Sequence, residues 1–524
     1  MEQNKHSFIY WLLPSISDVI FIITIAIILS VKGNLLGDAD TGYHIRAGEF
    51  ILENLRVPYH DIFSFTTPPI PWTAHEWLSE VIFAMIHRLS GLSSLVIFVS
   101  VVIAAVYSIL FKFLRQSKIN IIVAACIVAL AAGASTIHWL ARPHIFSLLL
   151  TLIWYIILDA YQYRKKNYLY LLPPIMLLWV NLHGGFIAGF MLLAVYTIGN
   201  VLKAVFIKEE KSEASARIKM LLIFSFLCLL ASLLNPQGYK ILLFPFKLTS
   251  NKYIMDNVVE WLSPNFHTDL RYEYMLLLMV LVFGVSLLKL NVIEAMLVML
   301  FTHMSLFSAR YIPLYAIILS PLIAKRIDDF IGILSDRRLV KKFISISDRA
   351  VTTDSQTKGY LWSFFAIAVP IIMVSMGKLD YNFDKKKLPV DAVHFIKKEK
   401  IKGNMFNNDQ FGDYIIYAAW PEYKVFFDGR SDMYGVKRMK EYGKVIRIEQ
   451  GWDKVLEKYN INWIIYGANS CLTQFLLERN DWKLIYADKV ANIFVRNMPE
   501  NKLLINKYPD VRPVRVEEKE NKED

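Results

Sequence analysis

Residues 12–31 read LLPSISDVIFIITIAIILSV, an apolar run whose single charged residue is Asp18. Its length matches the roughly 20 residues that a helix needs to cross about 30 Å of hydrocarbon. The run is too long for the apolar core of a signal peptide and lacks a small-residue cleavage site. It therefore predicts a retained membrane helix.

Ten further apolar runs follow, at 92–114, 119–138, 143–161, 168–182, 185–207, 219–234, 273–289, 292–309, 311–325 and 360–377. Each is near the length of a membrane span, and the shorter ones suit tilted or broken helices. Only 20% of the 524 residues are charged, against about 25% in a soluble chain. The sequence predicts an α-helical polytopic membrane protein with about eleven transmembrane helices.

Lysine and arginine concentrate in short connections at 115–118, 164–166, 203–219, 289 and 325–358. Because basic connections stay in the cytoplasm, this pattern predicts a cytoplasmic N-terminus. With eleven spans, the longer segments 32–91, 235–272 and 378–524 then face outward.

The net charge of +12 does not indicate nucleic acid. Basic residues cluster in those connections between apolar runs, and the chain has no RNA- or DNA-binding motif, so we expect the bilayer as their partner and no nucleic acid. Three cysteines are too few for a disulfide framework.

The predicted domains are a transmembrane domain at 1–377, a small extracytoplasmic α/β domain at 378–497, and a charged, disordered tail at 498–524. Within the first domain, 32–91 is the first outward loop, and its stretches 44–54 and 75–89 have the spacing of interfacial amphipathic helices.

The α/β domain is predicted from alternating patterns after residue 390. Helices are expected at 391–400, 410–420, 439–459 and 472–479. Strands are expected at 405–406, 424–427 and 463–466, with a hairpin of 483–487 and 490–496.

Polar and charged residues collect at the predicted outward ends of the spans. They are Asp38, Asp40, His44, His75 and Glu76 in the first loop, and Arg142, His144, Asn181, His183 and Arg310 beyond later spans. Taken one at a time, such residues are equally typical of ordinary helix ends and turns. Their convergence on one face favours a site, since buried carboxyls shift in pKa and arginines bind phosphate.

Several motifs carry a family resemblance: Asp38-x-Asp40-x-Gly-Tyr-His44, Val57-Pro-x-x-Asp61-x-Phe-Ser64, Trp72-x-x-His-Glu-Trp-Leu78, Asn181-Leu-His-Gly-Gly185, Asn235-Pro-x-Gly238 and Phe427-Asp-Gly-Arg430. Together they resemble a large group of bacterial membrane proteins in the GT-C glycosyltransferase superfamily. Its relatives include protein O-mannosyltransferases, aminoarabinose transferases acting on lipid A, and catalytic subunits of oligosaccharyltransferase.

The resemblance implies an enzyme of the bacterial plasma membrane and cell envelope. A polyprenyl-phosphate carrier delivers the sugar at the outer face, and an acid just after the first span acts as general base on an extracytoplasmic acceptor, usually with inversion. Either Asp38 or Asp40 matches that acid, and we favour Asp40 because it opens the Asp-x-Gly-Tyr-His pattern. The alternatives are a helix N-cap for Asp40 and a turn residue for Asp38.

Supporting roles follow from the same resemblance. His44 lies one helical turn beyond Asp40 and would orient it or bind phosphate. Some superfamily members need a divalent cation, Mg²⁺ or Mn²⁺, and His75 and Glu76 would join Asp40 in holding one, although their spacing is not a recognised metal pattern.

The remaining candidates would bind the lipid-linked substrate or its phosphate: Arg142, His144, Asn181, His183, Arg310 and Arg430. For Arg310 the alternative is snorkelling to headgroups. For Arg430 it is a turn with an internal bond to Asp428. His183 is favoured by the adjacent glycines Gly184 and Gly185, which let backbone amides approach a ligand.

The chain also departs from known relatives. Its first loop lacks the adjacent Asp-Glu pair of protein O-mannosyltransferases, and it lacks the Trp-Trp-Asp motif of oligosaccharyltransferase subunits. Those acceptors are therefore not carried over. Two other functions stay open: a transporter or flippase of lipid-linked sugars, and a non-catalytic partner in cell-envelope assembly.

Overall fold

A computed structural model describes residues 12–31, 35–268, 270–357 and 359–514. The chain divides into two compact units. We call 1–34 with 89–380 the helical unit, and 35–88 with 381–524 the mixed unit. The predicted first loop therefore belongs to the same compact unit as the predicted C-terminal domain.

The helices of the helical unit are α1 (Ile16–Ser30), most of α3 (Trp77–Gln116), α4 (Ile121–Ser135), α5 (His144–Tyr163), α6 (Leu172–Leu182), α7 (Ile187–Phe206), α8 (Lys211–Ser232), α9 (Lys240–Thr249), α10 (Lys252–Asn257), α11 (Leu270–Val285), α12 (Val292–Phe307), α13 (Ile312–Ile333), α14 (Arg338–Gln356) and α15 (Tyr360–Ser375). In α3 the backbone leaves helical geometry at Ser90 and Gly91, where Gly91 has a φ of 64°. This break separates the predicted interfacial helix from the span that follows it.

All eleven predicted apolar runs contain helix, but fewer satisfy a strict test for membrane spans. Within the described residues, five helices are long and apolar enough: Trp77–Gln116, Ile121–His138, His144–Tyr163, Gly184–Phe206 and Lys208–Ser232. A sixth is reached if 338–356 and 361–375 form one bent span. Others, such as Ile16–Ser30 and Val292–Phe307, are apolar but shorter than a full span.

Polar residues divide between the two ends of the helical unit. At one end, the side chain of Arg164 donates to Gln116 at 3.2 Å, and the Asn120 N–H donates to Asp328 at 3.1 Å. We call the connections 116–120, 163–168, 286–291 and 325–329 the basic end. Helix α5 runs from the basic end to His144 at the other end, where Arg142 pairs with Glu260. The basic connections at 115–118, 164–166 and 289 and the start of 325–358 are thus together in space.

In the mixed unit, α2 (Asp40–Asn54) packs very closely against two other helices. A Cβ on Gly42 would approach the Asp413 carbonyl and the Tyr417 side chain to 2.8 Å, and one on Gly48 would overlap the Glu80 backbone. Because glycine has no side chain, the helix backbones can touch here. This contact explains the glycine in the Asp40-x-Gly-Tyr-His44 motif.

The rest of the mixed unit forms a small α/β domain, as predicted. Its elements are α16 (Val390–Glu399), β1 (Asn404–Asn407), α17 (Asp409–Ala419), α18 (Ser431–Ile446), α19 (Trp452–Lys458), β2 (Ile461–Gly467), α20 (Cys471–Leu477), β3 (Trp482–Ala487), β4 (Ala491–Arg496) and α21 (Lys502–Lys507). The sheet order is β1-β2-β4-β3, with β1 parallel to β2 and the other pairs antiparallel.

Two local predictions differ from the structure. Residues 424–427 do not form a strand of the sheet; instead Val425 makes an isolated parallel bridge with Ser64 in the first loop. The predicted disordered tail is helical at Lys502–Lys507, where Lys507 pairs with Glu399. The prediction for 515–524 lies outside the described residues.

Candidate active site

Helix α2 places Asp40 in its first turn. The N-cap position belongs to Ala39, so Asp40 does not occupy the capping position that was its alternative assignment. Asp38 instead accepts the Asp40 N–H at 3.0 Å, which is the behaviour of a turn residue. The Asp40 side chain is buried, with 7% of the residue exposed.

A second carboxylate, Asp413 of α17, lies beside Asp40. Gly429 links the two, because an added Cβ would overlap Asp40 Oδ1 and lie 3.1 Å from Asp413 Oδ2. The Gly429 N–H donates to both carboxylate oxygens of Asp413 at 3.1 Å. Two acidic side chains from distant parts of the sequence thus flank one backbone amide.

Asp413 is fully buried, and its environment opposes negative charge. Burial raises the pKa of the Asp413 carboxyl well above its ordinary value, and the neighbouring charges of Asp40 and Asp428 raise it further, while the Gly429 N–H acts in the opposite direction. Two carboxylates this close favour retention of a proton between them.

Arg430 forms a buried ion network next to this pair. Its Nε and Nη2 donate to the two oxygens of Asp428 at 2.8 and 2.7 Å, and Nη2 also donates to Asp61 at 2.8 Å. The Tyr434 hydroxyl donates to Asp428 at 2.6 Å. The alternative that Arg430 pairs internally with Asp428 is therefore realised, and the guanidinium is engaged within the protein.

The network sits among aromatic rings of the first loop. The Arg430 guanidinium lies 4.7 Å from the ring centroid of Trp72 and 4.9 Å from that of Phe63. Burial raises the pKa of Asp61, but the charge of Arg430 and the hydrogen bonds from Ser64 and Phe63 together outweigh burial and hold that pKa below the ordinary value. Asp61 is thus a structural anion.

His44 projects toward two glutamates of the first loop. Its Nδ1 lies 3.4 Å from Glu80, and its Nε2 lies 3.7 Å from Glu76. His75 continues the chain of contacts, with Nε2 3.7 Å from Glu76. The structure therefore brings His44, His75 and Glu76 together, with Glu80 added.

The predicted metal site is not formed as such. Across the described ranges, no group of three or more His, Cys, Asp or Glu side chains has a geometry that could hold a metal ion. Asp40, His75 and Glu76 do not converge as a ligand set.

Arg142 and Arg310 meet in the helical unit, where both pair with Glu260; the Arg310 contact is 3.1 Å. Burial raises the pKa of Glu260, but the two guanidinium groups outweigh it and hold the pKa well below the ordinary value. The Nε2 of His144 lies 2.6 Å from the His138 carbonyl. The two arginines therefore share the Glu260 carboxylate.

Asn181 and His183 make structural contacts in the same unit. Asn181 accepts from Asn235 at 3.1 Å. The Gly185 N–H donates to His183 Nδ1 at 2.9 Å, and the Ser147 hydroxyl lies 2.7 Å from the same nitrogen. A Cβ on Gly185 would overlap Ser147. This packing accounts for the glycine that had been attributed to ligand approach.

Sequence reasoning did not select Asp413, Glu80 or Glu260 as site residues. For Asp413 a signal exists, because α17 places an aspartate among the buried residues Phe411, Ile415 and Ile416. A charged residue among core positions on a short amphipathic helix usually has a functional or structural neighbour. For Asp413 that neighbour is Asp40, which is 373 positions away in the sequence and so could not be identified from local pattern.

The structure was compared with solved proteins. It is similar to the archaeal oligosaccharyltransferase AglB from Archaeoglobus fulgidus, whose structure contains an inhibitory peptide and a dolichol-phosphate, with a TM-score of 0.53 and 12% identity over 86% of this chain and 69% of that one. It is also similar to ArnT from Cupriavidus metallidurans bound to undecaprenyl phosphate, with a TM-score of 0.48 and 9% identity over 91% and 97% of the two chains. No protein-family model matches the sequence, and a search of curated proteins gives no match. The likeness to AglB confirms the predicted GT-C-like resemblance at the level of the fold.

Proposed function

We propose that this chain is a membrane glycosyltransferase that moves a sugar from a polyprenyl-phosphate carrier to an extracytoplasmic acceptor, a glycan, lipid or protein. One observation carries the proposal: Asp40 opens α2 as a buried carboxylate that packs against Gly429 and beside Asp413. The fold shared with an oligosaccharyltransferase supports it.

Asp40 acts as the general base in this proposal. The acceptor hydroxyl oxygen forms a bond to C1 of the sugar and gives its proton to an Asp40 oxygen. The bond between C1 and the phosphate oxygen breaks, and its electron pair leaves with the carrier phosphate, so the configuration at C1 is inverted. Because the leaving group is already a stable anion, the protein mainly orients and deprotonates the acceptor.

Arg142 and Arg310 are the proposed ligands for an anionic phosphate. Both guanidinium groups contact Glu260, which holds them side by side. Charge-assisted hydrogen bonds from arginine match the geometry of phosphate oxygens.

The proposal includes the topology derived from the sequence: eleven spans in the bacterial plasma membrane, a cytoplasmic N-terminus and an extracytoplasmic mixed unit. The gathering of the basic connections at one end of the helical unit supports this topology, since such residues stay in the cytoplasm.

The decisive experiment uses purified protein in nanodiscs with labelled polyprenyl-phosphate sugars and cell-envelope extracts as acceptors. Wild type should transfer label, and Asp40→Asn should lose transfer by at least about 100-fold, since general-base catalysis contributes 10²–10⁴ in rate. Asp38→Asn is the matched control and should stay active, because asparagine keeps the oxygen that accepts the Asp40 N–H.

Transfer that persists in Asp40→Asn would reject the proposed base. Movement of the carrier across the bilayer without sugar transfer would indicate a flippase. Normal envelope assembly in cells carrying Asp40→Asn would indicate a non-catalytic partner.

A further inference from the structure

Helix α14 is an amphipathic helix that joins two apolar helices of the helical unit. It follows α13 after four residues, and α13 reaches the basic end, where Asp328 accepts the Asn120 N–H. At about 100° per residue, Val340, Phe343 and Ser347 of α14 share one face. That face is buried or half-buried, and α14 contacts α4.

An apolar edge next to the packed face is left open. Leu339 is 82% exposed and Ile346 is 50% exposed, and the two lie two helical turns apart on the same side. Leu339 and Ile346 therefore form an exposed apolar strip, and an apolar surface that covered them would be favoured because it removes them from water.

A row of cations borders that edge. Arg338, Lys342 and Arg349 are all exposed and project next to Leu339 and Ile346. Among the residues that the structure describes, none of the three forms an ion pair, whereas their neighbour Lys341 pairs with Asp336 at 3.5 Å.

The acidic residues of α14 do not neutralise this row. Asp348 projects toward a different side of the helix, about 100° from Arg349. Asp354 lies toward the packed face, where it accepts the Ile16 N–H at 2.6 Å. Within the described part of the chain, the row of Arg338, Lys342 and Arg349 therefore has no carboxylate at ion-pair distance.

We propose that α14 is a membrane-surface anchor for anionic phospholipids. Leu339 and Ile346 enter the boundary between headgroups and acyl chains, and Arg338, Lys342 and Arg349 bind lipid phosphates at headgroup depth. A helix with an apolar edge flanked by cations lies in the plane of the interface, and both its burial and its charge favour an anionic leaflet. The surface is unrelated to Asp40, so this inference stands whether or not the chain transfers sugar.

The apolar edge is tested by site-directed spin labelling. Leu339→Cys, Ile346→Cys and the control Ser345→Cys are made where Cys126, Cys228 and Cys471 are alanine, and are labelled in bilayers containing phosphatidylglycerol. Nitroxides at 339 and 346 should be relaxed by oxygen more than by a nickel chelate, and the nitroxide at 345 should show the reverse. Relaxation of 339 and 346 mainly by the chelate, or by neither reagent, would overturn the proposal, because water or a protein would then cover the edge.

The cationic row is tested with the native cysteines in place. Wild-type protein in nanodiscs should have a higher Tm when phosphatidylglycerol is added to phosphatidylcholine. The triple variant Arg338→Gln, Lys342→Gln, Arg349→Gln should lose most of that rise, and added salt should weaken the rise in wild type.

A matched triple, Lys437→Gln, Lys454→Gln, Lys489→Gln, removes three exposed charges from the mixed unit. It should keep the full rise in Tm. No rise in wild type, or an equal rise in wild type and the α14 variant, would refute anionic-lipid binding by this row.

Discussion

The Nη2 atom of Arg430 lies 2.8 Å from Oδ1 of Asp61, although the two residues are 369 positions apart in the chain. The same nitrogen contacts Asp428 at 2.7 Å, and all three side chains are buried. The motifs Val57-Pro-x-x-Asp61 and Phe427-Asp-Gly-Arg430 are therefore two parts of one ion network. That network holds Gly429 in place beside Asp40.

Replacing Arg430 by methionine should destabilise the mixed unit strongly. The substitution leaves Asp61 and Asp428 buried with no counter-charge, and removal of one partner from a buried ion pair costs about 3–5 kcal/mol. Arg430→Lys should recover only part of the loss, because one ammonium cannot reproduce the two-pronged contact with Asp428. Thermal or denaturant unfolding of the purified protein measures both variants.

Arg479→Met is the matched control, since Arg479 makes a similar two-pronged contact with Asp481 but both side chains are largely exposed. Its cost should stay within about 1 kcal/mol. Equal costs at 430 and 479 would show that burial of the Arg430 network does not contribute to stability.

Local patterns were sufficient to predict much of the secondary structure. The helix beginning near Asp40 and the hairpin of β3 and β4 follow from spacing within a few residues, which is information that a sequence displays directly. The same holds for α16, predicted at 391–400 and observed at Val390–Glu399.

The site depends instead on contacts between distant segments. Val425 was expected in a strand because of its apolar neighbours, but its partner is Ser64 of the first loop. Asp413 meets Asp40 only because Gly42 lets α2 touch α17. The residues next to Val425 and Asp413 in the sequence do not indicate either contact, because many segments have similar propensities and tertiary packing determines which of them meet.

Gly429→Ala should reduce sugar transfer more than it reduces stability. The new Cβ would overlap Asp40 Oδ1 and crowd Asp413, so the proposed base must move from its position. A misplacement of about 1 Å can cost on the order of 100-fold in rate. We expect kcat to fall by that order while Tm changes little.

Gly467→Ala in β2 is the control, because an added Cβ there meets no heavy atom within 4 Å. It should leave transfer unchanged. A Gly429→Ala enzyme with wild-type kcat would indicate that the position of Asp40 relative to Gly429 is not critical.

Asp413→Asn should stabilise the protein increasingly as pH rises. Folding raises the pKa of the Asp413 carboxyl, so its contribution to stability is fully present below the unfolded value of 3.8 and is lost as pH rises through the folded pKa. Asparagine does not ionise, so the variant does not lose stability in this way. Each unit by which folding raises the Asp413 pKa corresponds to about 1.4 kcal/mol of unfolding free energy lost by wild type at high pH.

Unfolding free energies measured at pH 4 and pH 7 should show Asp413→Asn more stable than wild type at pH 7, with a smaller difference at pH 4. Asp453→Asn, at an exposed position, removes one charge without altering a buried group and should not reproduce this trend. A difference between Asp413→Asn and wild type that is independent of pH would contradict proton retention by Asp413.

Glu260→Gln should show the opposite dependence on pH. The charges of Arg142 and Arg310 hold the folded pKa of Glu260 below the unfolded value of 4.5, so its stabilisation is present above that value and is lost as pH falls through the folded pKa. The variant should lose about 1.5–3 kcal/mol of unfolding free energy at pH 7, the range for hydrogen bonds to charged groups.

This loss should shrink in acid, because Glu260 of wild type is then protonated and no longer charged. Asp413→Asn provides an internal check. The difference in unfolding free energy from wild type should change with pH in opposite directions for the two variants, because folding raises one pKa and lowers the other. A constant loss at all pH values would mean that the charge of the Glu260 carboxylate does not stabilise the two arginines.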